Sequence, residues 1–155
     1  MRPIPAPRLG DAHGLLRAIS ERERLPAGKM TGGHGLLGRR GRGPAELAVL
    51  ERAAARLERL ALYPRPLATS RVRILHVPWL FRLPWFRRFS GYNMAHLILL
   101  KAPLDQVSDD LVTHELCHVW QDQDHRARMW LSYMRLGYAR NPHEVEARRA
   151  VSETR

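Results

Sequence analysis

Apolar residues recur at intervals of three and four through Leu47, Leu50, Ala54, Leu57 and Ala61, while Glu51, Arg52, Arg56, Glu58 and Arg59 occupy the other faces. That period predicts an amphipathic helix over 44–62, entered at Pro44 and stopped ahead of Pro64. The period then falls to two. Val72 and Ile74 alternate with Arg71 and Arg73, which predicts a half-buried strand over 71–77. A more continuously apolar strand is expected over 95–100, in AHLILL. Between the two strands, Pro78 and Pro84 forbid long regular structure. The aromatics there, Trp79, Phe81, Trp85, Phe86 and Phe89, read either as a roof on the core or, with Arg82, Arg87 and Arg88, as a substrate-side flap or membrane-surface contact over 77–89.

Helical spacing returns in the last third. Ser108 is an N-cap residue, and Asp109 and Asp110 complement the dipole of a helix expected over 108–123. A second helix is expected over 125–138, with Trp130, Tyr133 and Met134 along one side. Asn141-Pro142, a cap followed by a proline, opens a third. Upstream, Asp11 caps a short helix over 11–25 that carries Leu15, Leu16 and Ile19. Residues 26–44 hold seven glycines and form a loop. The organisation expected is an irregular Gly/Pro/Arg-rich region over 1–43 and a folded domain over 44–155.

Composition narrows the function classes. A chain of 155 residues is one domain's worth, and a hydrophobic fraction of 45% suits a folded domain. The lone cysteine, Cys117, excludes a disulfide-stapled scaffold. No apolar run approaches the roughly 20 residues needed to span a bilayer, and the first residues lack the apolar core of a secretory signal, so a cytoplasmic location is expected. The net charge of +11 is uneven: residues 1–102 carry 19 basic and 6 acidic side chains, residues 103–155 carry 7 and 9. A basic first half offers a surface to nucleic acid or anionic lipid. Near-exclusive arginine use on solvated faces accounts for it equally.

The chemistry lies in the acidic half, where His114-Glu115-Leu116-Cys117-His118 forms HExxH. On a helix, residues four apart share a face, so both imidazoles can aim at one metal ion. Glu115 sits one position around, beside the ion and not on it, where a carboxylate can take a proton from an activated water. Cys117 points away from that face. A catalytic zinc site wants a third protein ligand and an open position. The third-ligand candidates are Glu144, Glu146, His143, His125 and Asp124. Asp124 stands six residues after His118, but Gln121 occupies the place where a sharp turn would need glycine.

HELCHVWQ followed by NPHEVEARRA resembles the HExxH…ExxA arrangement of gluzincin-type zinc metallopeptidases, similar to the small ImmA/IrrE-like and HtpX-like families. The resemblance covers about residues 92–150. It implies an α+β, minimal zincin-like fold, with several helices on a small antiparallel or mixed sheet and an active-site HExxH helix. It also implies Zn2+ held by His114, His118 and Glu144, with Glu115 as general base. Zincin folds place an edge strand beside the metal, to which an extended peptide substrate adds, and residues 95–100 are the strand expected to serve. Tyr92, His96, Tyr133 and Tyr138 are the candidate oxyanion donors. One departure is Arg148, where many gluzincins carry an acid that supports a zinc histidine, so Glu146 or Asp110 would have to do so. Two other functions fit the same motif. One is a DNA-associated protease similar to the SprT/Spartan type, with His125 or His143 as third ligand. The other is a zinc-stabilised interaction module without turnover.

Overall fold

The computed structural model describes residues 42–136, 138 and 141–155, without the side chains of 125–131, 133 and 134. The helix expected over 11–25 and all but the end of the glycine-rich loop lie outside the described residues. The architecture is α+β, three helices packed on a small mixed sheet.

Helix α1 spans Pro44–Glu58 and buries Leu50, Ala53, Ala54 and Leu57. It ends a turn earlier than its period suggests, because Ala61 adopts a left-handed backbone with φ of 46°. That turn swings Leu60, Leu62 and Tyr63 back onto the core. Leu47 falls at the rim, 38% exposed.

Strand β1 is Arg73–His76, with Val72 buried just ahead of it and Ile74 packed on the core. Strand β2, Gly91–Met94, was not expected. It joins β3, Leu97–Leu100, through a two-residue turn in which Ala95 has φ of 54°. The order is β1-β3-β2: β1 runs parallel to β3, with Arg73 opposite Leu97, and β2 runs antiparallel to it, with Gly91 opposite Leu100. The segment expected as the edge strand is therefore the central one, and the edge strand packed on the HExxH helix is β2. Burial explains the swap, since Ile98, Leu99 and Leu100 are each 0% exposed, as a strand flanked on both sides must be. On the outer edge of β1, Oε1 of Glu46 from α1 accepts from the Ile74 amide at 2.8 Å.

The intervening aromatics divide. Phe81 and Phe86 are buried around a short 3₁₀ turn, Leu80–Arg82, whereas Trp85 is 58% exposed.

Helix α2 runs unbroken from Asp109 to Leu136, where two helices were expected. No proline or glycine interrupts it, and its length of about 42 Å follows from 28 residues. Asp124, which falls between the two expected helices, is helical itself and faces Arg65 at 3.8 Å with its side chain 6% exposed. Ser108 does cap the start, its Oγ accepting from the Leu111 amide. Asp109 takes a two-pronged bond from Arg52 of α1, and Asp110 pairs with Arg56 and Arg155. Those guanidinium groups hold both carboxyls below the usual carboxylate range. Helix α2 packs against α1, β2, β3 and the last helix.

Helix α3, Pro142–Glu153, begins as expected at Asn141, whose side chain accepts from the His143 amide and donates to Ser132 of α2. Its buried face is Glu144, Ala147 and Ala150. Two alanines at that contact let α3 lie close to α2, and close approach brings the Glu144 carboxylate to the HExxH face.

Candidate metal centre

His114 and His118 stand one turn apart on α2, and their Nε2 atoms lie 3.2 Å from each other. Glu144 reaches across from α3, with Oε1 at 3.3 Å from His118 Nε2 and Oε2 at 3.5 Å from His114 Nε2. These three side chains could hold one metal ion. A geometric test supports the fit. Ligand atoms bound tetrahedrally at about 2.0–2.1 Å stand about 3.3 Å from one another, close to the 3.2 Å between the two Nε2 atoms and the 3.3 Å from His118 Nε2 to Glu144 Oε1; one atom from each of the three residues lies within 4.8 Å of the other two. Glu144 and His118 are buried, while the His114 side chain is 16% exposed. His114 opens onto a groove of about 340 Å³ between α2 and α3, lined also by Asp110, Leu111 and Arg148.

Glu115 lies to the side of this cluster, 5% exposed, under β2. Burial pushes its carboxyl well above the ordinary glutamate range, and the imidazoles of His118 and His114 offset part of that. Its roof is Gly91, where a Cβ would stand 2.8 Å from Glu115 Oε1. For His118, burial opposes the imidazolium, but the Glu144 and Glu115 carboxylates and the Gln121 hydrogen bond outweigh it and raise the ring above the ordinary histidine value.

The other candidates separate by position. The Glu146 carboxylate is not among the converging atoms, because it accepts from Tyr63 Oη and from Gln121 Nε2. Asp124 is turned toward Arg65, and the His143 main-chain carbonyl accepts from Gln121. The side chain of His125 lies outside the described residues. Glu144, and neither Asp124 nor His143, completes the cluster. Arg148, one turn beyond Glu144, comes within 3.7 Å of its Oε2. Asp110, proposed as a support for a zinc histidine, is committed to Arg56 and Arg155.

Among the expected oxyanion donors, two tyrosines border the site. At Tyr138, burial and then the Glu144 charge raise the phenol above the ordinary tyrosine value. Burial, then the Glu115 and Glu144 charges, raise that of Tyr92. Phe89 packs on both rings and Phe86 edge-on against Tyr92. His96 is exposed in the hairpin turn at the opposite end of β2 from Gly91, and the side chain of Tyr133 lies outside the described residues. Cys117 faces the core, 0% exposed, with its thiol pushed up to about 12 by burial.

Two residues at the site carried no functional signal in the sequence. Gly91 falls in the stretch between the two expected strands. Gln121 was notable only for not being glycine, yet its Oε1 lies 2.7 Å from His118 Nδ1. Its spacing of three from His118 could have flagged it, since such residues share a helix face.

Comparison of the chain with models of protein families, with curated proteins and with solved structures finds no match. No helix among the described residues is long and apolar enough to cross a membrane.

Proposed function

We propose that this chain is a zinc-dependent peptidase that hydrolyses an extended peptide. The observation that carries the reading is the combination of three converging ligand atoms with one buried carboxylate that does not converge. A purely structural zinc closes its fourth position with protein and has no use for Glu115. Here the donor set numbers three among the described residues, and its most exposed member borders a groove.

His114, His118 and Glu144 would hold the ion, and their two imidazoles and one carboxylate are a donor set suited to zinc. Zinc bound there supplies charge stabilisation and makes an adjacent water acidic enough to react near neutral pH. Glu115 would accept the proton of that water and pass it to the departing amine, and the close approach of Gly91 limits where its carboxylate can lie. The Tyr138 and Tyr92 phenols, both kept protonated, are the donors available to a developing oxyanion. The substrate backbone adds to β2. No strand covers its outer side among the described residues, and main-chain hydrogen bonds along it would hold a peptide beside Glu115.

The test is zinc per chain and turnover together. Wild type should carry close to one zinc and cleave a labelled casein, and His118→Ala should lose both. Glu115→Gln should keep the zinc and lose cleavage by about 10²- to 10⁴-fold. Undiminished cleavage by Glu115→Gln, or no zinc in wild type, would refute the proposal.

A further inference from the structure

We infer that Gln121 sets the tautomer of His118 and so presents its Nε2 to the ion, and that Glu146 with Tyr63 fixes Gln121 in the orientation this requires. The inference deepens the peptidase reading and rests on it.

A primary amide has two ends of similar shape, and only its partners decide which end faces a neighbour. At Gln121 the partners leave no choice. Its nitrogen faces two oxygens that only accept: Glu146 Oε2 at 2.8 Å and the His143 carbonyl at 3.0 Å. Its oxygen is therefore the atom 2.7 Å from His118 Nδ1, and an amide oxygen can only accept. Nδ1 must carry a proton. The neutral ring then has its lone pair on Nε2, the atom that stands 3.3 Å from Glu144 Oε1 and 3.2 Å from His114.

The outer end of the chain is anchored as well. Tyr63 Oη donates to the Glu146 carboxylate, and the Tyr63 ring packs edge-on against buried Trp120 with centroids 5.2 Å apart. Gln121 is itself 0% exposed, so bulk solvent does not reach its amide. Helix α3 thus grips His118 from two sides. Glu144 addresses Nε2 directly, and Glu146, two residues on and turned to another face, addresses Nδ1 through Gln121. This assigns Glu146 a positioning role and not a ligand's role. It also supplies a partner for a zinc histidine where Arg148 cannot.

Two variants and one spectrum test the inference. Gln121→Leu removes the acceptor. Gln121→Met keeps the length of the side chain and removes the acceptor as well, which separates lost filling from a lost hydrogen bond. Zinc affinity is read by competition with a chelator, folding by circular dichroism, and the protonated nitrogen of His118 by long-range 1H–15N correlation on the zinc-loaded protein. Wild type should show the proton on Nδ1. Gln121→Leu should bind zinc roughly 10- to 100-fold more weakly while folded, the range seen when the outer partner of a metal-bound histidine is removed. Gln121→Met should lose as much, which a merely space-filling role would not predict. A proton on Nε2 in wild type, or unaltered affinity in either variant, would overturn the inference and leave the peptidase reading standing. Should Gln121→Leu not fold, the wild-type spectrum and Gln121→Met decide. Failure of wild type to take up zinc would remove both readings together.

Discussion

Replacing Gly91 with alanine adds one methyl group and tests how tightly the general base is placed. No positive φ is involved, so alanine suits the backbone and the whole cost falls on the contact with Glu115. A Cβ at position 91 would stand 2.8 Å from Glu115 Oε1, 3.1 Å from Cγ and 3.2 Å from Cδ. Ordinary contacts begin near 3.4 Å, so the carboxylate must retreat by about 0.6 Å or the strand must lift by as much. Because Cγ and Cδ are crowded along with the terminal oxygen, rotation of the carboxylate alone does not relieve the contact. The buried setting of Glu115 limits where the side chain can go. Misplacement of a catalytic group by an ångström costs on the order of 10²-fold in rate, about 2.7 kcal/mol of barrier. Overpacking of this kind costs about 1–3 kcal/mol of stability. The assay is a three-way comparison of wild type, Gly91→Ala and Glu115→Gln for zinc content, melting temperature and casein cleavage. Gly91→Ala should keep its zinc, because the atoms nearest the new methyl group all belong to Glu115, and should lose roughly 100-fold in cleavage. Wild-type turnover in Gly91→Ala would refute the claim that the glycine sets the position of Glu115. Loss of zinc would show instead that the methyl group disturbs the whole cluster.

Further outcomes follow from other contacts. Asn141→Ala removes the cap of α3 and its tie to Ser132, and should cost about 1–2 kcal/mol in chemical denaturation with a measurable loss of zinc affinity, since Glu144 lies in the first turn of that helix. Chelation of the metal should lower the melting temperature of wild type and leave that of His118→Ala unchanged, because a ligand stabilises only the state that binds it. Cys117 should resist alkylation at pH 8 in the native protein and react fully in guanidinium, given its burial. Asp109 and Asp110 are held below the usual carboxylate range by Arg52, Arg56 and Arg155, so their contribution is present above that range and fades as pH falls through their lowered values. Arg52→Gln should therefore move the acid-unfolding midpoint to higher pH, as read by tryptophan fluorescence.

How far the sequence revealed this arrangement depended on whether its signal was local. The i, i+4 histidines and the Asn141-Pro142 start of α3 are short-range patterns, and both are where the pattern puts them. Glu144 was one of five third-ligand candidates, and only the packing of Ala147 and Ala150 against α2 singles it out. Strand β2 escaped notice because Gly-Tyr-Asn-Met lacks apolar alternation, and its pairing with β3 supplies what propensity does not. The unbroken run of α2 was obscured by reading Asp124 as a boundary, when Arg65 engages it from outside the helix. Gln121 and Gly91 could not be assigned in advance, because what each does is defined by partners 25 and 24 residues away, Glu146 and Glu115.

The two edges of the sheet are unequal. On the β1 side, Glu46 of α1 takes the outward-facing amide of Ile74, so an incoming strand would have to displace that carboxylate before it could pair there. On the β2 side, no strand of the described residues occupies the outer edge. A free edge invites backbone pairing, and an edge with a donor already taken is a poorer template for it. The docking of α1 is therefore also a guard. A lesion that frees α1 from the sheet would leave both edges open to pairing, even with every strand residue intact.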